Sequence, residues 1–404
     1  MESSTPQPRP HADSTSWVAR GTPAYQHATL ALFLLGFASF SLIYCVQPLL
    51  PEFTTSFAIS PANSALALSL TTGFLAFSIV LSGAFSQGLA RKHLMFGSML
   101  IAALLNIACA FISNWPLLLT IRAIEGFVLG GVPAIAMAWI AEEIHPADLS
   151  KSMGVYIAGT AFGGMMGRVG MGLVVEHFSW HVAMAALGGL CVLAALGFVY
   201  LLPASKHFRP QRGSPLHFHL HAWRQHLANP RLLNLYAFAF LIMSVFVTTF
   251  NYVTFRLSQP PFDLSPTQIS LIFLCYSLGI MSSSLAGNFS QRLGSKTAVL
   301  ISLTLMFFGL ITTLSNHLLW IVVGIALMTF GFFVAHALAS SYVGLEAKST
   351  KAHATSLYLL FYYLGSSVTG SAGGWFWQHG GWSAVIALCG TATLVAILLI
   401  QKRR

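Results

Sequence analysis

Twelve apolar stretches follow one another along this chain, each long enough to cross a bilayer. They begin near Ala28, Asn63, Leu94, Trp115, Ser152, Trp180, Leu232, Pro266, Thr297, Leu318, Thr350 and Trp382, with polar breaks such as SNWP, EHFSW and SNH between them. A hydrocarbon core of ~30 Å takes about 20 such residues per helix. Inside it, every backbone N–H and C=O must find a partner within the protein, which restricts these stretches to helices. The expected fold is therefore an all-α membrane protein with twelve transmembrane helices. Composition agrees: only 7% of the 404 residues are charged and 56% are hydrophobic, whereas a soluble domain carries about 25% charged residues. Soluble enzymes, nucleic-acid binders and disordered chains are excluded, despite a net charge of +10.

That positive charge has a membrane explanation. With the N-terminus on the cytoplasmic side, 17 of the 20 Lys and Arg residues fall in cytoplasmic segments. Only Arg256 falls outside, while Arg122 and Arg168 lie within helices. An asymmetry of this size sets the orientation, with both ends cytoplasmic. The first 27 residues are polar and rich in Ser, Thr and Pro, and are expected to form a disordered cytoplasmic arm. The stretch Ala28–Leu50 is too long for a signal-peptide core and reads as a spanning helix. The five cysteines, Cys45, Cys109, Cys191, Cys275 and Cys389, stand alone in separate apolar stretches. Neither a disulfide framework nor a metal site is expected from that spacing, and no cofactor.

The chain is also duplicated. GAFSQGLARK at 83–92 recurs as GNFSQRLGSK at 287–296, an offset of 287 − 83 = 204. ISPANSAL at 59–66 matches LSPTQISL at 264–271, an offset of 205. Two six-helix, pseudo-symmetric halves are expected, at 28–202 and 232–404, joined by a hydrophilic, His-rich cytoplasmic linker at 203–231 that reads as a surface tether. Parallel repeats of this kind are the plan of transporters whose halves rock about a central site.

With these features the chain resembles the major facilitator superfamily over almost its whole length. The likeness rests on the repeated loop motif, on RAIEG in the fourth span, and on the glycines of the fifth. A narrower likeness, to bacterial inner-membrane exporters of the arabinose-efflux-like and multidrug type, rests on NYVTFRLSQPPFDLS at 251–265, AMAWIAEEI at 136–144 and LYLLFYYLGSSVTGSAGG at 357–374. The resemblance implies the major facilitator fold. It also implies that the loop copies, with Gly83, Gln87, Arg91 and Lys92 in one and Gly287, Gln291, Arg292 and Lys296 in the other, form a cytoplasmic gate. In the family an Asp stands where this chain has Gln87 and Gln291. Gln hydrogen-bonds but carries no charge, so a weaker latch is expected. Arg91 and Lys92 could equally serve only as topology signals.

Three sets of residues carry the candidate chemistry. Arg122 and Glu125 stand at i and i+3 in the fourth span, with Glu125 where the family has Gln. Charged groups at membrane depth are functional candidates by default, so Glu125, Arg122 and, further on, His336 are candidates for proton coupling; a structural ion pair is the other reading. Arg168 takes the place of the Pro that follows the third glycine of the drug-exporter motif. It could snorkel to the interface or face a cavity beside Arg122, making a positive pocket. Asn251, Tyr252, Tyr276, Tyr358, Phe361 and Tyr362 are the remaining substrate-cavity candidates, and aromatic-and-amide walls of that kind suit amphiphilic solutes. Tyr358 and Tyr362, at i and i+4, share a face.

The resemblance thus implies a secondary transporter, acting as a monomer in the bacterial inner membrane. It would export a small organic, anionic or amphiphilic solute by proton antiport and alternating access. Its partners would be that solute, protons and the lipid bilayer. Proton-coupled uptake is the alternative, because the altered glycine motif leaves direction open, and a non-transporting membrane sensor is a remote one. The helices hold no GxSxG or HExxH constellation, so an enzyme is not expected. If the orientation is right, cysteines placed at Ser205 and Ser214 will escape an impermeant reagent in intact cells and react after lysis. Labelling of either in intact cells would invert the topology.

Overall fold

The computed structural model describes residues 17–85, 90–208 and 214–401. It is all-helical: α1 (Pro23–Tyr44), α2 (Leu50–Ser56), α3 (Pro61–Phe85), α4 (Arg91–Cys109), α5 (Trp115–Leu129), α6 (Val132–Glu143), α7 (Leu149–His177), α8 (Trp180–Leu201), α9 (Leu216–Leu227), α10 (Pro230–Leu257), α11 (Pro266–Ser270), α12 (Tyr276–Leu293), α13 (Ser295–Thr312), α14 (Leu318–Glu346) and α15 (Lys351–Gln401). Ten helical segments, several joining neighbouring helices, are long and apolar enough to cross a membrane. Helix α7, with 29 residues, is an eleventh by length, its hydropathy lowered by seven glycines and Arg168. The 51-residue α15 is two helices joined across non-helical Gly380 and Gly381, the latter at φ +56°. Ten, one and the division of α15 make the twelve spans of the major facilitator fold.

Where the spans begin follows from local chemistry. Pro stands in the first turn of α1, α3, α5, α10 and α11, where its missing N–H has no helical partner to lose. Thr22, Asn114, Ser179 and Asn229 accept hydrogen bonds from the first-turn N–H groups of α1, α5, α8 and α10. Ser265 and Gln268 form a reciprocal capping box at α11.

Helix α1 packs on α7 and α8, α3 on α5, and α4 on α8. In the second half α10 packs on α15, and α14 on α12 and α13. The halves meet where α3 lies on α15 and α7 on α11. The repeat is visible in its bonds. Ser41 Oγ donates to Gly163 O at 2.9 Å, and Ser244 Oγ to Gly365 O at 3.2 Å. Lys92 Nζ reaches Leu202 O at 2.5 Å, and Lys296 Nζ reaches Gln401 O at 2.9 Å, each binding the last turn of its half.

Two segments depart from expectation. The arm expected to be disordered through residue 27 is ordered from residue 17 onward. Val18 bridges Ile144, the Arg20 N–H donates to Asp148 at 2.9 Å, and α1 starts at Pro23. Pairing with the turn after α6 supplies partners that the polar composition did not reveal. Residues 1–16 lie outside the described residues. The linker is not a simple tether either. Its start is fixed by the buried Glu143 carboxylate, which accepts from the N–H groups of Lys206 and His207 at 2.9 Å each. Its second part folds into α9, which docks on the start of α15.

Close helix approach depends on glycines at equivalent places in the two halves. A Cβ at Gly163 would collide with the Phe37 carbonyl, and one at Gly365 with the Phe240 carbonyl; at Gly154 there is open space. Gly163→Val should destabilise the protein by ~1–3 kcal/mol, the usual cost of overpacking. Gly154→Ala should be neutral or slightly stabilising. Thermal melts of the purified protein in detergent will distinguish them, and equal melting temperatures would mean that α1 and α7 separate freely.

Candidate functional site

Helix α1 stops at Tyr44 because Pro48 follows three residues beyond its C-cap, Cys45. The last carbonyls of a helix have no partner within it, and these belong to the buried residues Leu42, Ile43 and Tyr44. Arg122, on α5, supplies one. Its Nη2 donates to Leu42 O at 3.1 Å and Ile43 O at 2.9 Å, its Nη1 to Leu42 O at 3.2 Å, and its Nε to Ala67 O at 3.4 Å. Nη1 also pairs with Glu125 Oε2 at 2.5 Å, and both side chains are fully buried. Glu125 Oε1 is buried with no hydrogen-bond partner among the described residues. The pair is thus enclosed by α1, α3 and α5 within the first half.

Arg168 is placed differently. Its Nε donates to Gln47 Oε1 at 2.6 Å, and Nη1 donates to Gly164 O in its own helix. Gln47 in turn donates through Nε2 to Asn251 Oδ1 at 2.7 Å, crossing from the first half to the second. The guanidinium lies 4.2 Å from the Tyr44 ring centroid, 4.7 Å from Tyr276 and 5.3 Å from Phe273. It is 1% exposed, so it does not snorkel. The two arginines share no hydrogen-bond acceptor: Arg122 binds the last carbonyls of α1, and Arg168 binds Gln47 beyond its C-cap. No carboxylate pairs with Arg168 among the described residues.

Beyond Tyr276 the second half continues as an aromatic wall. Phe246 stacks on Phe332 at 3.9 Å and meets Tyr276 edge-on at 5.3 Å. His336 lies parallel to Phe332, 4.6 Å from Tyr362, with its Nδ1 3.0 Å from the Tyr358 hydroxyl. The structure therefore brings Arg168, Asn251, Tyr276, Tyr358, Tyr362 and His336 into one chain of contacts. It does not bring in Tyr252 or Phe361. Tyr252 donates to Gly370 O at 2.8 Å and stacks on Phe255, while Phe361 stacks on Tyr236 at 5.6 Å. Both act as packing between α10 and α15. Tyr44, Gln47, Phe273 and Phe332 also belong to the site, although no sequence motif marks them. Gln47 had a usable signal, since 251 − 47 = 204 is the repeat offset.

The gate-loop residues divide in the same way. Gln87 lies outside the described residues, and Gly83 sits at the end of α3. Arg91 does have a carboxylate, although not one from the loop. Its Nη2 meets Glu142 Oε1 of α6 at 2.9 Å, and its Nε meets Oε2 at 3.3 Å. In the second copy Gly287, Gln291 and Arg292 are exposed. On the face opposite Val18 and Gln401, the halves are closed together. Glu176 Oε2 accepts from Ser265 Oγ at 2.8 Å and from the Thr267 N–H at 2.9 Å. Gly172 abuts Ser270, and Gly374 abuts Ala62. Nearer mid-span, Ser366 Oγ donates to Thr72 at 3.3 Å.

A two-half helical bundle with a polar and aromatic seam is the architecture of a membrane transporter. Comparison with known proteins places it further. The sequence profile of the Major Facilitator Superfamily matches residues 32–265 and 258–403, and the chain belongs to that superfamily. It is 41% identical over 387 residues to the inner membrane transport protein YnfM of Escherichia coli strain K12, covering 95% of this chain and 92% of that one. It is 40% identical over 390 residues to the MFS-type transporter YybF of Bacillus subtilis strain 168, covering 95% of each. Among solved structures, it superposes on a mutant form of the nucleoside transporter NupG with a TM-score of 0.77 at 16% identity, covering 93% of this chain and 99% of NupG.

The bond between Gln47 and Asn251 is buried and joins the two halves, so its loss should be felt in stability. Gln47→Leu and Asn251→Leu, singly and together, should show a coupling of ~0.5–3 kcal/mol in a double-mutant cycle on thermal unfolding. Strict additivity would mean that the two amides do not bond in the membrane.

Proposed function

We propose that this protein exports a small anionic or amphiphilic organic solute from the cytoplasm in exchange for protons, by alternating access. The observation that carries the reading is Arg168, a guanidinium buried at the seam and faced by amide and aromatic groups rather than by a carboxylate. A buried charge without a counter-ion is costly, and a ligand bringing one is correspondingly favoured. The acidic group of the solute would meet Arg168 and Asn251, and its apolar part the wall of Tyr276, Tyr362, Tyr358 and His336. The protein would sit in the bacterial inner membrane as a monomer with both ends cytoplasmic, an orientation supported by the distribution of Lys and Arg. The loops at 83–92 and 287–296 would then gate the cytoplasmic side.

Glu125 is the proton carrier in this reading. Its link to the solute is the break in α1: Arg122 holds Leu42 and Ile43 before it, and Arg168 holds Gln47 within it. Movement of the loaded protein to the outward-facing state would loosen the break, weaken the bond between Arg122 and Glu125, and favour protonation of Glu125 from outside as the anion leaves. Movement back would restore the pair and release the proton.

Everted vesicles test both parts. With wild-type protein, a proton gradient should drive accumulation of an anionic amphiphile. Glu125→Gln should abolish accumulation against a gradient while leaving equilibration intact. Arg168→Ala should reduce uptake of anionic solutes at least ten-fold more than that of neutral ones. Continued accumulation by Glu125→Gln would make that residue structural and turn attention to His336. Equal losses for both solute types in Arg168→Ala would assign Arg168 to packing.

A further inference from the structure

Helix α9 presents its residues in an unusual order. The side it turns to the protein carries histidines: His219, Ala222 and His226 are buried. His219 Nδ1 lies 2.8 Å from His353 Nε2, and His226 Nε2 lies 2.8 Å from the Thr350 hydroxyl. A neutral imidazole offers one donor and one acceptor, so these contacts form a polar clamp on the start of α15. A second side is apolar and faces away from the protein. Leu216, Leu220 and Leu227, at i, i+4 and i+11, are 55%, 54% and 39% exposed, while Trp223 beside them packs inward on His219 and His353, at 6.1 and 5.8 Å between ring centroids. The third side holds exposed His217, His221 and Arg224.

The clamp also fixes the depth of the helix. His219 and His226 are seven residues apart, or ~10 Å along α9. Yet they reach residues 353 and 350, within one turn of the start of α15. Helix α9 therefore runs across the end of that span rather than alongside it. It ends at Leu227, and α10 enters its span at Pro230. Both ends of α9 are thus level with the first turn of a spanning helix, the depth of the lipid headgroups. Exposed Arg224, Arg231, Lys348 and Lys351 surround it, and the acidic neighbour Glu346 is paired with Arg231.

We propose that α9 is an interfacial anchor whose exposed Leu216, Leu220 and Leu227 insert among the acyl chains of an anionic lipid surface, with Arg224 and its neighbours meeting the headgroups. An apolar stripe beside a cationic one, lying flat at headgroup depth, is the arrangement by which helices bind in the plane of a membrane. Anionic headgroups complement the cations. A second copy of this chain would bring the same positive charges against them, which opposes association through this face. By holding the start of α15 through the two histidines, the anchor ties the span that carries Tyr358 and Tyr362 to the membrane surface.

Nitroxide labels on single introduced cysteines at Leu216, Leu220 and Leu227, and at His217 and His221, will test this in the full chain. The protein is reconstituted in vesicles of phosphatidylcholine with phosphatidylglycerol, and in phosphatidylcholine alone; the unmodified chain, treated with the same label, is the control for the native cysteines. With phosphatidylglycerol present, labels on the leucine positions should relax several-fold more with oxygen than with a water-soluble nickel chelate, and the histidine positions should show the reverse. In phosphatidylcholine alone the contrast should fall at least two-fold. Leucine labels open to the chelate would place the stripe in water and overturn the proposal. Labels shielded from both reagents would place it under protein and overturn the proposal equally. An equal contrast in the two vesicle types would overturn the preference for anionic lipid.

Discussion

The break in the first span between Tyr44 and Leu50 is the constraint around which the buried chemistry of this transporter is arranged. A helix end in hydrocarbon leaves carbonyl oxygens that water cannot reach, each costly if left unpaired. Arg122 covers two of them from α5, and Glu125 balances the charge that this requires. Within the break, Gln47 faces the seam, bonded to Arg168 on one side and Asn251 on the other. One interruption in one helix thus accounts for the position of both intramembrane arginines. It also sets a short stretch of backbone between the ion pair of the first half and the seam.

The duplication shows where the two halves differ at the seam. Gly163 and Gly365 are equivalent, with 365 − 163 = 202, and the same shift carries Arg168 onto Gly370. Gln47 corresponds to Asn251 at the offset of the loop motif, 251 − 47 = 204. In the first half, the arginine binds the glutamine. In the second, Gly370 offers Asn251 no side chain, and Asn251 Nδ2 has no partner among the described residues. The asparagine therefore turns to its counterpart across the axis. Symmetry brings the two amides together, while the arginine, present on one side only, gives the seam its charge and its polarity.

Much of this was legible in the sequence, for reasons that can be named. Spans are long and apolar, and Pro or a capping Asn, Ser or Thr marks where many begin, so their number followed from local pattern. The repeat followed from GAFSQGLARK and GNFSQRLGSK. Side-chain direction was less accessible. Tyr252 and Phe361 have the composition of a ligand wall but face their own bundle, because the Gly370 carbonyl and the Tyr236 ring are nearer than the seam. Arg168 was ambiguous because its depth suits snorkelling as well as burial; Gln47 and the three aromatic rings decide it. Glu142 was not connected with Arg91 because the charge pair joins two helices 51 residues apart. Helix α9 was hidden because histidines interrupt its apolar period, and its buried side is the polar one.

These features bear on how the halves could separate. The closed side rests on small-residue contacts, Gly172 with Ser270 and Gly374 with Ala62, on hydrogen bonds to Glu176, and on the two amides at the seam. Glycine contacts of this kind add packing but little chemical attachment, and they can part without stranding a charge. Bonds to Glu176 lie at the exposed rim, where water can replace them. The bond between Gln47 and Asn251 is different, for it is buried, and opening it exposes two amides and the face of Arg168 together. An occupant able to accept from Arg168 and Gln47 while the halves part lowers that cost. In the proposed cycle an empty site would lack such a group, and opening would be harder without solute. In that way a hydrogen bond between two equivalent residues would couple occupancy of the proposed site to movement of the halves.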